Sequence, residues 1–348
     1  VLAHGGEMTH VTILAQSLDL PLFIAEDPAL FKLPEGTDML LDGATGNIYA
    51  NPSRDVVELF ETEREAYHPV TGEETAAGSS EDLKEKGVRL RANVNLLRDA
   101  PLAVKFGAEG VGLYRTEFPF LIRSSFPSED EQYQVYRRLL EDMAGRPVTF
   151  RTLDVGGEKA LAYYDHSGEE NPELGLRSIR FSLRHRDIFT VQIRAMLRAA
   201  AIGPLKIMFP MISSLDEYRE ARDIVEECRQ ELEAETGEAA ADPPLGMMIE
   251  VPSIIAMIEE AAREADFLSV GTNDLVQYLL AADRGNEKVS DYFCLHHPAV
   301  LRTLAEVAAA GERAGKEITV CGEMAHLDRF VPFLFGVGLR SLSVAPRY

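Results

Sequence analysis

The sequence predicts a (β/α)8 barrel, an α/β fold, preceded by part of a small second domain. Two observations carry this reading. Eight short β-leaning runs, at 88–94, 110–114, 148–153, 206–210, 245–250, 266–271, 317–321 and 341–344, alternate with helical patterns. Long amphipathic stretches, at 129–144, 179–201 and 215–236, lie between several of those runs. An open doubly wound sheet is the competing architecture. It lacks support, because no Gly-x-Gly-x-x-Gly fingerprint and no Walker A motif occurs. Gly156-Gly157-Glu158-Lys159 has neither the spacing nor the Ser/Thr of a P-loop.

Residues 1–53 form the first unit. Val1-Leu2-Ala3 reads as the tail of a strand, Gly5-Gly6 as a tight turn and 10–18 as a helix. Leu22-Phe23-Ile24 is a strand candidate. Met39-Leu40-Leu41 and Asn47-Ile48-Tyr49 flank Asp42-Gly43 in a hairpin-like pattern. His10 therefore stands at a helix start just past two glycines, where free backbone N–H groups and the helix dipole favour an added phosphate. Residues 54–87 are acidic and polar, with a helical pattern at 56–67 and a flexible Gly78-Ser79-Ser80, and read as a linker. The barrel takes 88–348. Its last run ends four residues before Tyr348, so the final helix expected of such a barrel is missing and the chain reads as a piece of a longer protein.

Composition narrows the function. With 46% hydrophobic and 26% charged residues the chain reads as a globular protein. No apolar run reaches membrane-spanning length and no signal peptide is visible. Cys228, Cys294 and Cys321 are odd in number and far apart, so a disulfide framework is not expected and a reducing cytoplasm is. A net charge of −22 argues against nucleic acid and anionic membranes. An anionic substrate must then be held by a local cluster of arginines.

The stretch 266–286 gathers the most chemistry. Phe267-Leu268-Ser269-Val270 has strand length and ends at Gly271-Thr272-Asn273-Asp274, and a helical pattern resumes at Leu275. Asn273 and Asp274 are thus expected at a strand's carboxyl end, where α/β folds bind ligands. Arg284 follows in the polar break Asp283-Arg284-Gly285-Asn286. An amide, a carboxylate and a guanidinium this close suit a phosphorylated, carboxylate-bearing ligand with a divalent ion. Other strand ends add Arg115-Thr116-Glu117, Arg151, Asp154, Met211, Glu250 and Cys321-Gly322-Glu323. In a barrel all of these converge at one mouth.

These motifs carry a resemblance. The 266–286 stretch resembles the second signature of the phosphoenolpyruvate-utilising enzymes, and within them that of enzyme I, the phosphoenolpyruvate-protein phosphotransferases of bacterial sugar-transport systems. The run Gly5-Gly6-Glu7-Met8-Thr9-His10-Val11-Thr12 is similar to the family's phosphohistidine signature. The resemblance covers nearly the whole chain and implies the following roles. His10 accepts the phosphoryl group. Arg115 in LYRTEF, Arg151 in RTLDVGG and Arg284 in DRGN bind phosphoenolpyruvate, and Arg177 in LGLRSIR joins them. Glu250 in MMIEVP and Asp274 hold Mg²⁺, and Asn273 and Asp274 also contact substrate. Cys321 in VCGEMA protonates the enolate carbon. This sequence departs from the pattern at Met8, where threonine is usual, at Val11 and Gln16, which replace a hydroxyl residue and an arginine, and at His326, where a small residue is common.

The implied reaction is in-line phosphoryl transfer from phosphoenolpyruvate to His10, release of pyruvate, and onward transfer to a histidine-containing phosphocarrier protein. A swivelling first domain and a homodimer formed through the barrel belong to the same expectation, as does an upstream carrier-binding helical domain absent from this chain. Two other readings stay open. One is a pyruvate phosphate dikinase or phosphoenolpyruvate synthase relative, which takes phosphate from ATP. The other is a non-catalytic phosphoenolpyruvate sensor, which the departures at Met8, Val11, Gln16 and His326 leave possible.

Overall fold

The computed structural model describes residues 22, 30, 32–34, 36–42, 47–52, 85–121, 125–156, 164 and 169–346. His10, the 10–18 helix, most of the 22–24 strand, the 56–67 helix and the Gly78-Ser79-Ser80 segment lie outside them. The chain divides into two units, Val1–Ser79 with Gly285–Glu287 and Ser80–Arg284 with Lys288–Tyr348. In the first, β1 (Met39–Asp42) and β2 (Asn47–Ala50) pair antiparallel, with Asp42 opposite Asn47, at the position of the Asp42-Gly43 signal.

The second unit is a closed barrel of eight parallel strands, in the spatial order β10-β3-β4-β5-β6-β7-β8-β9. They are β3 (Arg89–Val94), β4 (Val111–Arg115), β5 (Val148–Arg151), β6 (Leu205–Phe209), β7 (Leu245–Ile249), β8 (Phe267–Val270), β9 (Ile318–Val320) and β10 (Ser341–Val344). Each overlaps one of the eight β-leaning runs. Every residue of β5, β8, β9 and β10 is buried. A parallel strand is covered on both faces, so even the polar residues that alternate along β5 (Thr149, Arg151), β9 (Thr319) and β10 (Ser341, Ser343) are buried.

Alternate residues turn inward. Leu113, Met208, Met248, Phe267 and Cys321 come from or follow five different strands and form one buried cluster, the filling of the barrel. With a side-chain period of two, the same faces of β4 and β7 carry Arg115 and Glu250 two residues further on. The barrel's own pleat therefore delivers polar side chains to its carboxyl-end mouth just above an apolar plug.

Helices cover the outside. They include α1 (Asp99–Lys105), α2 (Phe118–Leu121), α3 (Glu129–Asp142), α4 (Ser178–Arg184), α5 (Arg186–Ala200) and α6 (Leu215–Thr236). Beyond them follow α7 (Pro252–Ile255), α8 (Ile258–Glu264), α9 (Thr272–Leu280), α10 (Pro298–Ala314) and α11 (Val331–Gly336). Ser128-x-x-Glu131 and Ser214-x-x-Glu217 close complete capping boxes on α3 and α6, satisfying N-terminal donors in each. Between helices, Arg194 binds Glu129 at 2.8 Å and Glu235 at 2.6 Å, tying α5 to α3 and α6. Among the described residues no helix is long and apolar enough to cross a membrane.

Two helical expectations change. The single pattern at 179–201 is two helices, broken at His185, whose φ of −110° and ψ of 63° leave the helical region. There the ring packs on Phe181 at 4.5 Å and meets the Tyr164 hydroxyl at 2.8 Å, tertiary contacts that outweigh local helical continuity. The helix expected from Leu275 starts at Thr272, so Asn273 and Asp274 occupy its first turn.

Candidate active site

The mouth of the barrel is a network of buried ion pairs. Arg151, at the end of β5, bonds Glu117 Oε1 at 2.6 Å and Asp154 Oδ2 at 2.9 Å through Nη2. Asp154 also receives Arg177 Nη2 at 3.2 Å and the Ser178 hydroxyl. Arg177 reaches Asp274 Oδ2 at 3.6 Å, the Tyr278 hydroxyl at 3.0 Å and the Glu173 carboxylate. Arg284 Nη1 lies 3.0 Å from Asp274 Oδ1. Arg151, Arg177 and Asp274 are thus joined by a continuous chain of contacts, with Arg284 attached through Asp274.

Glu250 follows β7 and is almost fully buried. Its Oε1 accepts the Met211 backbone N–H at 2.6 Å. Met211 adopts a φ of +54°, a left-handed conformation costly for a side-chain-bearing residue, and that turn aims its N–H at the carboxylate. A methyl group at Gly271 would sit 2.5 Å from Glu250 Oε2, so glycine at the end of β8 leaves the carboxylate its room. Burial raises the Glu250 pKa well above the ordinary carboxylate range, and Asp274 and Asp154 push it further; Arg151 and the Met211 N–H oppose them.

Cys321 follows β9 and is 3% exposed. Its Sγ lies 3.4 Å from Ser269 Oγ and 3.4 Å from the Val270 carbonyl. Burial pushes the thiol up to about 11, against a smaller opposing effect of the Ser269 hydroxyl. The group therefore keeps its proton at neutral pH. That suits a proton donor and not a thiolate nucleophile. Asn273 is held from the neighbouring loop, its Oδ1 accepting the Glu323 N–H at 2.9 Å. Arg115 is partly buried, and its Nε has no hydrogen-bond partner among the described residues. Burial lowers its pKa, as does the adjacent Arg151 guanidinium.

Four arginines, Arg115, Arg151, Arg177 and Arg284, thus face five carboxylates, Glu117, Asp154, Glu173, Glu250 and Asp274, which act on one another electrostatically. Mutual repulsion of Glu250, Asp274 and Asp154 marks where a cation is favoured. Among the described residues no three His, Cys, Asp or Glu side chains group as a metal cage. Two carboxylates completed by substrate oxygens and water are the donor set that Mg²⁺ prefers, so Glu250 and Asp274 fit that ion.

Of the residues singled out from the sequence, Arg115, Arg151, Arg177, Glu250, Asn273, Asp274, Arg284 and Cys321 stand at or beside this mouth; His10 lies outside the described residues. Sequence reading missed Glu173 and Tyr278, which grip Arg177. Tyr278 carried a usable signal, because it lies four residues after Asp274 and shares its helix face.

Residues 73–348 match the family described as PEP-utilising enzyme, PEP-binding domain. The chain is 40% identical over 343 residues to the phosphoenolpyruvate-protein phosphotransferase of Staphylococcus carnosus (strain TM300), an alignment covering 98% of this chain and 60% of that protein. It is 41% identical over 344 residues to that of Geobacillus stearothermophilus, covering 98% and 59%. The chain thus spans about 60% of the length of the curated relatives it matches.

Proposed function

The chain belongs to the PEP-utilising enzymes, whose PEP-binding domain it carries, and from that premise we propose that it moves the phosphoryl group of phosphoenolpyruvate to His10, releases pyruvate, and passes the group on to a histidine-containing phosphocarrier protein. The observation that carries the reading is the convergence of Arg151, Arg177 and Arg284 with Glu250, Asp274 and a protonated Cys321 thiol at the barrel mouth. In the proposal residues 1–53 form a swivelling phosphohistidine domain, 54–87 a linker and 88–348 the substrate-binding barrel. The same reading includes pairing of two chains through the barrel, which light scattering of the full-length protein would measure.

The arginines bind the phosphate and carboxylate of the substrate through paired N–H donors. Asn273 and Asp274 orient it from the first turn of α9. Mg²⁺ on Glu250 and Asp274 would neutralise charge on the phosphoryl oxygens when bound. His10 Nε2 forms the N–P bond as the P–O bond to the enolate breaks. The enolate carbon then takes the proton of Cys321 Sγ, giving pyruvate.

Labelled phosphoenolpyruvate with Mg²⁺ and no ATP should leave an acid-labile phosphate on His10, read by mass spectrometry. Labelling that requires ATP would assign dikinase chemistry, and binding with no transfer would assign a sensor; either outcome overturns the proposal. Cys321→Ala separates the proton-transfer step from binding. It should slow pyruvate formation about 10²-fold or more while phosphoenolpyruvate binds with the parent affinity. Equal pyruvate rates in variant and parent would remove Cys321 from the reaction.

A further inference from the structure

Behind the arginine cluster runs a buried chain of uncharged polar groups that the reaction as proposed does not use. Thr116, Gln132, Tyr136 and Gln192 are each at most 1% exposed. The Thr116 hydroxyl donates to the Arg151 carbonyl at 2.9 Å. Gln192, from the middle of α5, donates through Nε2 to Thr116 Oγ1 at 3.1 Å and to the Tyr136 hydroxyl at 3.3 Å. Its Oε1 accepts the Leu153 N–H at 2.8 Å. Tyr136 donates to Gln132 Oε1 at 2.9 Å, and Gln132 Nε2 donates to the Pro127 carbonyl at 3.1 Å.

Donors and acceptors fit in one direction only. Both N–H bonds of the Gln192 amide are used, one for each hydroxyl, and its oxygen is used by the one backbone N–H in reach. Each hydroxyl accepts from Gln192 and donates onward. A flipped amide would set its donors against the Leu153 N–H and leave the chain broken in a dry interior, where an unmade hydrogen bond is costly. The amide is therefore fixed, and it touches two segments. One is Thr116, which directly follows Arg115. The other is Leu153, two residues after Arg151 and one before Asp154.

We propose that Gln192 is a positioning residue for substrate binding: it locks the ends of β4 and β5 in register, so that Arg115 and Arg151 present their guanidinium groups to one anion. The inference rests on the reading that this mouth binds phosphoenolpyruvate. The two strands need such a clamp, since their pairing shifts register between Val111 and Tyr114. A helix on the outside of the barrel thereby sets geometry at its mouth without touching the ligand.

The test uses the full-length protein and three measurements: unfolding temperature, phosphoenolpyruvate affinity by calorimetry with Mg²⁺, and steady-state kinetics. Gln192→Met keeps the shape and removes the bonds. It should weaken phosphoenolpyruvate binding about 10-fold and lower kcat/KM by about 10²-fold, the scale of loss expected when a reacting geometry slips by an ångström. Phe189→Leu, a core change on the same helix where Phe189 packs on Phe209, should lower the unfolding temperature but leave affinity unchanged. Thr116→Val serves if Gln192→Met does not fold, and should show the same loss of affinity. A folded Gln192→Met or Thr116→Val protein with parental affinity overturns the inference. A parent protein that does not bind phosphoenolpyruvate overturns the underlying functional reading instead.

Discussion

Glu250→Gln should be nearly inactive and yet more stable than the parent in the absence of metal at alkaline pH. The amide oxygen can still accept the Met211 N–H, now bonded to Glu250 Oε1 at 2.6 Å, so the fold keeps its contact. Loss of the carboxylate removes half of the protein's donors for a divalent ion. Turnover of phosphoenolpyruvate should fall by about 10³-fold or more, several kcal/mol of transition-state stabilisation. The stability effect has the opposite sign. Burial, with Asp274 and Asp154, raises the folded pKa of Glu250 above its unfolded value. The protonated group thus stabilises the metal-free fold below the ordinary carboxylate pKa, and this contribution is lost as pH rises through the raised value. Glu250→Gln has no such proton to lose. Its metal-free unfolding temperature should vary less with pH and exceed the parent's on the alkaline side. Saturating Mg²⁺ with phosphoenolpyruvate should stabilise the parent more than the variant.

Arg151→Met should cost both activity and stability. The arginine sits between Glu117 at 2.6 Å and Asp154 at 2.9 Å with almost no exposure. Truncation leaves two buried carboxylates without that partner, and removal of one member of a buried pair costs about 3–5 kcal/mol. Asp154 keeps Arg177 and Ser178, so Glu117 bears most of the loss. Arg151→Met with Glu117→Gln should therefore recover stability without recovering activity. Chemical denaturation of the single and the double variant measures the first effect, and kcat/KM the second, where a drop of about 10³-fold is expected. A single variant with parental kcat/KM would take Arg151 out of the substrate site.

Backbone strain accompanies the buried charges at this site. Met211, Ser178 and Ala281 all have positive φ, at 54°, 54° and 53°. Met211 aims an N–H at Glu250, Ser178 bonds Asp154, and Ala281 ends α9 shortly before Arg284. Strain of this kind persists only where surrounding packing over-determines it.

The eight strands were legible because a parallel barrel strand is a short β-leaning run set off from helical periods. The polar mouth was legible for the same reason: residues that end such runs have one place to go, so Arg115, Arg151, Glu250 and Cys321 could be grouped without coordinates. Counterions were harder. Glu173 lies four residues before Arg177 with no α-helix to join them, and its hold on Arg177 depends on a 3₁₀ turn at Pro172–Leu174. Gln192 was invisible, because a glutamine inside an amphipathic helix carries no mark of burial. The break at His185 was invisible too, since it arises from contacts with Tyr164 and Phe181.

Calorimetric titration of the full-length protein with phosphoenolpyruvate, with and without Mg²⁺, tests the reading of the barrel mouth most directly. Binding should require Mg²⁺, weaken at least 10-fold in Glu250→Gln by loss of a metal donor, and vanish in Arg151→Met. Binding of equal strength in all three proteins, or binding indifferent to Mg²⁺, would contradict it.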